Sequence, residues 1–153
     1  MSMQCCFKDH REFLKHPEWK VYAKSKDDTT KLYTRVSNKQ LFCVKSVSVA
    51  REHLNDIVAA LCDNNLKTRY DESFDSGQLL YQDLPFEGSV SHLKFKKVLV
   101  VSPRDLVVIG KIHRLSESDV YIFGKSFKLD SHPPFKNIVR AESSMSGWHV
   151  KVI

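Results

Sequence analysis

Polar and apolar residues alternate with a period of two along most of this chain, and a period near 3.6 replaces it in two segments. The most apolar stretch is Val98 to Ile109, where two runs rich in β-branched residues flank Ser102-Pro103-Arg104-Asp105. Such side chains suit a pleated, half-buried surface. Pro103 has no N–H and a fixed φ, which fits a turn. The stretch therefore predicts a hairpin at the centre of an antiparallel sheet.

After the turn, alternation places Leu106, Val108, Gly110 and Ile112 on one face and Val107, Ile109, Lys111 and His113 on the other. The first of these faces is uncharged. Before the turn, Leu93 and Phe95 alternate with His92, Lys94 and Lys96. A sheet with an apolar face must cover it with a second layer of protein or with a captured apolar ligand.

The flanking pattern supplies the other elements. Phe7 to Lys15 has helical spacing and stops before Pro17. Trp19 to Ser25, Lys31 to Val36 and Gln40 to Val47 read as three strands of a meander with polar turns. A helix follows, with Ser48 as its N-cap, Leu54, Ile57, Val58 and Leu61 on its apolar stripe, and Asp63-Asn64-Asn65 at its end. Leu66 to Tyr70 adds one further helical turn. Gln78 to Gln82, His92 to Val101, Leu106 to Leu115, Val120 to Leu129 and Ile138 to Ile153, the last breaking near Ser146-Gly147, then read as strands. Helices and strands segregate, so the fold class is α+β with an antiparallel sheet.

Length and charge narrow the picture further. At 153 residues the chain is expected to form a single domain, residues 1–153. Its net charge of +6 favours an anionic partner, with nucleic acid and acidic lipid as the general candidates. No apolar leader, membrane-length run or lipidation signal occurs, which points to the cytoplasm; the positive charge is what suggests a position peripheral to membranes. Cys5, Cys6, Cys43 and Cys62 lack zinc spacing and read as reduced thiols.

Candidate chemistry is sparse. The seven histidines are scattered, and no nucleophile elbow, zinc-helix motif or phosphate-cradling loop is present. An enzyme is therefore not expected, nor a metal or cofactor. Arg104 and Asp105 read as a pair tying the turn, and Trp19, Tyr70 and Trp148 as core. Lys94, Lys96, Lys97, Lys111, Lys125 and Lys128 form either a solvated face or a surface for anionic lipid. Stacking aromatics are few on these strands, so nucleic acid is not the expected partner.

Five segments together resemble one family. Pro17-Glu18-Trp19-Lys20, Lys31-Leu32-Tyr33-Thr34-Arg35, Arg69-Tyr70-Asp71, Ser102-Pro103-Arg104-Asp105-Leu106-Val107 and Ile138-Val139-Arg140-Ala141-Glu142 with Gly147-Trp148 stand in the order of the START domain, the steroidogenic acute regulatory protein-related lipid transfer module. The resemblance implies a helix-grip fold: a curved antiparallel sheet with N-terminal and middle helices, wrapped around a C-terminal helix, with a tunnel for one lipid. It implies a phospholipid, sterol or related ligand carried between membranes without covalent chemistry.

Two departures qualify that implication. Where the sterol-binding branch carries an arginine and its carboxylate partner, this chain has Gly110 and Ser91, so a sterol held by that pair is not implied. The sequence also stops at Ile153, where the family continues with a strand and the long helix, so the domain reads as C-terminally incomplete. An apolar face left uncovered invites self-association.

The residues expected to line the lipid site are Leu93, Phe95, Leu106, Val108, Gly110 and Ile112, with Arg140 either as a polar anchor or paired with an acid such as Glu142 or Asp71. Expected partners are thus the lipid and, transiently, an anionic membrane surface. The alternative is a remnant or protein-interaction module whose bulky side chains fill the tunnel. A helix-grip cyclase is the lesser alternative, since it needs titratable pairs that the uncharged face does not supply.

Overall fold

A computed structural model of the chain describes residues 3–37, 40–82 and 88–153, with side chains from Lys8 onward. The chain divides into two compact units, Lys8–Glu52 and a larger one containing His53–Ile153.

The smaller unit carries an antiparallel meander of β1 (Lys20–Lys24), β2 (Thr30–Val36) and β3 (Phe42–Ser48). The C-terminal end of α1 (Met3–Lys15) packs on it through aromatic rings. The indole Nε1 of Trp19 donates to the Phe13 carbonyl at 3.0 Å, and the two rings meet edge to face at 5.3 Å. Arg35 lies over both rings, and Lys45 lies over Trp19 and Tyr33 while donating to the Leu14 carbonyl. Burial pulls the Lys45 ammonium below its ordinary range, and the ring faces supply compensating negative potential.

The larger unit opens with α2 (Leu54–Cys62) and α3 (Asn64–Lys67). Asp63 separates them and caps α3, its carboxylate accepting from the Asn65 N–H at 2.8 Å. Ser48 does not cap α2, as its hydroxyl had suggested. It ends β3 instead, opposite Thr30, because the β2–β3 ladder holds the chain extended to that point, and His53 occupies the cap position without a side-chain bond.

Its sheet follows the order β4 (Phe74–Tyr81), β5 (Gly88–Phe95), β6 (Arg104–Ser116), β7 (Asp119–Ser126), β9 (Ser146–Lys151). These neighbours are antiparallel; the two-residue β8 (Val139–Arg140) lies parallel to the start of β6. One face is packed. Val90, Val107 and Ile109 form its core with Leu80 and Leu129 against them. Each such side chain contributes about 1.5–3 kcal/mol when fully buried.

The central hairpin differs from the expected one in its first arm. The strand predicted over His92 to Val101 ends at Phe95. Val98 and Val101 bond to each other, closing a tight turn with Leu99 at φ 52°. An arm that turns back on itself cannot reach β6, so Phe95, and not Val101, pairs with Arg104. Leu99 and Val100 are left 88% and 95% exposed.

Candidate functional site

The site is built from the face of the larger sheet opposite the packed one. Cross-strand partners share a face, so register assigns its members. Leu93 pairs with Leu106, Ser91 with Val108, and Ser89 with Gly110. Gly110 pairs with Gly124 and Ile112 with Ile122; Trp148 extends the second of these rungs and Ser146 the first. Each of these residues is uncharged. Along β6 the burial alternates accordingly, with Asp105, Val107 and Ile109 buried while Leu106, Val108 and Gly110 stay half-exposed and Ile112 exposed.

A strand apolar on both faces is normally covered on both. Here the second face is covered at its ends, where Phe74 and Val120 are fully buried, and half-exposed between them. Its middle holds a cross-strand rung of small residues, Ser89, Gly110, Gly124 and Ser146. A Cβ at Gly124 would stand 3.0 Å from the Ile109 carbonyl oxygen, and one at Gly110 would stand 3.3 Å from that of Phe123. At its two glycines the floor is therefore bare main chain. The rung of Ile112, Ile122 and Trp148 and the rung of Ser91, Val108 and Ser126 border it.

Helix α3 covers the β4 margin, while α2 reaches β9 at the opposite edge. Asn64 of α3 sits directly over Gly77 of β4. Lys67 caps the rings of Phe74 and Phe95, which meet edge to face at 5.7 Å. Burial draws the Lys67 ammonium down, with Asp71 opposing the shift.

Leu93, Phe95, Leu106, Val108, Gly110 and Ile112 thus share one face, although Phe95 is engaged by Phe74 and Lys67 at its margin. Arg140 does not join them. Its Nε and Nη2 bind the two oxygens of Asp105 at 2.9 Å each, and Nη1 donates to the His132 carbonyl at 3.1 Å. Asp105 belongs to the packed face and is completely buried, so Arg140 is held away from the open one. Neither Glu142 nor Asp71 is its partner, and Asp105 is not tied to Arg104 as expected. His92 completes the cluster at 2.8 Å from Asp105, with the Phe135 ring stacked on it. Burial pushes the Asp105 carboxyl up, but hydrogen bonds from Arg140 and His92 and their charges outweigh it and hold the pKa below the usual range. The same bond to Asp105 raises that of Arg140.

Other expectations are also revised. Tyr70 and Trp148 are exposed, not core, because Trp148 points to the open face. Lys94, Lys111 and Lys125 lie on the packed face, whereas Lys96 and Lys97 flank the exposed turn at Leu99. Sequence reasoning missed Ser89, Ile122, Gly124 and Trp148 as members of the open face. Only the alternation within β7, with Gly124 in step with Ile122, signalled them. Among the described residues no group of three potential metal ligands comes together, and no helix is long and apolar enough to cross a membrane.

The sequence model of the START domain matches residues 11–151. The chain belongs to the START domain family. Among solved structures, human StAR-related lipid transfer protein 5 superposes with a TM-score of 0.85 at 15% identity, covering 99% of this chain and 74% of that one. Human STARD10 gives 0.74 at 20% identity, covering 93% and 59%. A STAR-related lipid transfer protein from Xanthomonas axonopodis gives 0.71 at 18% identity, covering 86% and 72%. At these identities the likeness concerns the fold, which is the helix-grip α+β type. No curated protein matches the chain. Membership of the START family supports lipid binding in general.

Proposed function

We propose that this START domain holds a single lipid against the open face of β5, β6 and β7 and carries it between membranes. The observation that supports this most directly is an uncharged, half-exposed sheet face with a floor of glycine and serine. Such a face loses free energy on meeting an apolar chain, by about 0.8 kcal/mol per buried methylene. Leu93, Leu106, Val108, Gly110 and Ile112 form the contact surface, with Phe95 at its margin; they act by shape and desolvation and perform no reaction. Arg140 is not part of it, since its guanidinium is committed to Asp105.

Exchange with a membrane requires contact with one. The turn at Leu99 and Val100 presents two apolar side chains to solvent between Lys96-Lys97 and Arg104. Apolar tips flanked by cations suit the interface of an anionic bilayer, where each surface lysine adds about 1 kcal/mol. The protein is accordingly peripheral to membranes.

Mass spectrometry of the protein after incubation with mixed-lipid vesicles and re-isolation tests the proposal. One lipid per chain is expected, and Val108→Trp, which fills the floor's border, should abolish its retention while the circular dichroism stays unchanged. A chain that emerges without lipid, or retention unaffected by Val108→Trp, contradicts it.

A further inference from the structure

The open face ends, at one side, in a cation. Alternation along β6 carries the series Leu106, Val108, Gly110, Ile112 on to Arg114, the next residue of the same face. Arg114 Nη2 donates to Oδ1 of Asn55, in the first turn of α2, at 3.1 Å. Among the described residues it has no carboxylate partner, unlike Arg140. Asn55, Arg114, Leu115, Ser116 and Glu117 line a cleft of about 630 Å³ that opens to solvent. A charge whose hydrogen-bond partner is a neutral amide, beside a cleft and in line with an apolar stripe, is unexplained by packing.

We infer that this cleft seats the head group of the bound lipid and that the head group carries a singly charged oxyanion. The inference rests on the lipid-binding function proposed above. Guanidinium groups present N–H donors in a planar fork that matches phosphodiester or carboxylate oxygens. One of those donors is used on Asn55, which leaves the others for a ligand. Glu117, also in the lining, opposes a doubly charged group more than a singly charged one, so a phosphodiester or carboxylate fits better than a phosphomonoester. Length agrees as well. Leu106 to Arg114 spans about 27 Å of extended strand, ample for a lipid chain, which covers about 15 Å of one leaflet. Arg104 ends the stripe on the other side, but it does not line this cleft.

Calorimetric titration of the full chain with dihexanoyl phosphatidylglycerol and with neutral dihexanoylglycerol tests the assignment. The anionic probe should bind about tenfold tighter or more, the increment of a charge-assisted hydrogen bond. Arg114→Gln should erase that preference and leave binding of the neutral probe intact. Asn55→Asp, which gives Arg114 an internal carboxylate, should do the same, whereas Arg104→Gln should change neither probe. Inorganic phosphate at matched concentration should not compete. Equal affinities in the unmodified chain, a preference surviving either variant, its loss in Arg104→Gln, or displacement by phosphate overturns the head-group site and leaves the lipid-binding proposal standing. Failure of both probes to bind removes that proposal too.

Discussion

Asp105 is the residue whose surroundings constrain it most. Completely buried, it balances Arg140 and His92 on the packed face of the sheet. Removing its charge leaves a guanidinium without a counterion, and breaking such a pair costs about 3–5 kcal/mol. Asp105→Asn should therefore lower the urea midpoint sharply, and the same measurement on Glu142→Gln should show little change. The pH dependence has a definite sign. A carboxyl depressed in the folded state contributes stability above its unfolded pKa of about 3.9 and loses it as pH falls through the lower folded value. Urea midpoints should thus hold down to about pH 4 and then decline in the unmodified chain more steeply than in Asp105→Asn. The sequence showed both Arg140 and Asp105 but not their pairing. Thirty-five residues separate them, and the acids Glu142 and Asp71 were equally suitable on charge alone; only the parallel docking of β8 beside β6 chooses between them.

Among the elements, the connection between β5 and β6 departs furthest from its sequence pattern. Val98-Leu99-Val100-Val101 has every local mark of a strand, and β propensity measures fit to a half-buried surface more than backbone preference. With no partner within reach, the run folds back through Leu99 at φ 52° and stands in solvent. A leucine in that conformation is strained, so Leu99→Gly should raise stability by up to about 1 kcal/mol. The same change should weaken sedimentation with phosphatidylserine vesicles. A pair of substitutions, Leu99→Ser with Val100→Ser, should cut vesicle binding by about tenfold or more while shifting stability by less than about 0.5 kcal/mol. If stability and vesicle binding move together, the turn is a structural element and not a membrane contact. The remaining elements were legible, with boundaries off by a few residues, because alternation and helical period survive where a strand or helix has one covered face; the exception is the strand expected from Ile138 to the break at Ser146, before which only Val139–Arg140 is strand.

For the molecule as a whole, the order of helices and strands and the START motifs were enough to give the fold, since segregated elements and short connections admit few topologies. The site was half legible. Period two assigned Leu106, Val108, Gly110 and Ile112 to a common face, yet nothing in the sequence told which of the two apolar faces of β6 is covered. That depends on Leu129, His132 and Phe135 folding over Val107 and His92, a contact made after the strand has ended. An open apolar face of this size should drive association when empty. Sedimentation velocity of delipidated protein should show concentration-dependent dimers that dissociate when lipid is loaded; an unchanging monomer in both states would contradict this. The glycine pair at the floor has one more consequence. Gly124 lies so near the Ile109 carbonyl that the protein itself resists a methyl group there before any guest does. The depth of the cradle is thus fixed by main-chain geometry, and a lineage seeking a thicker or thinner cargo must remodel the banks at Val108, Ile112, Ile122 and Trp148, never the bed.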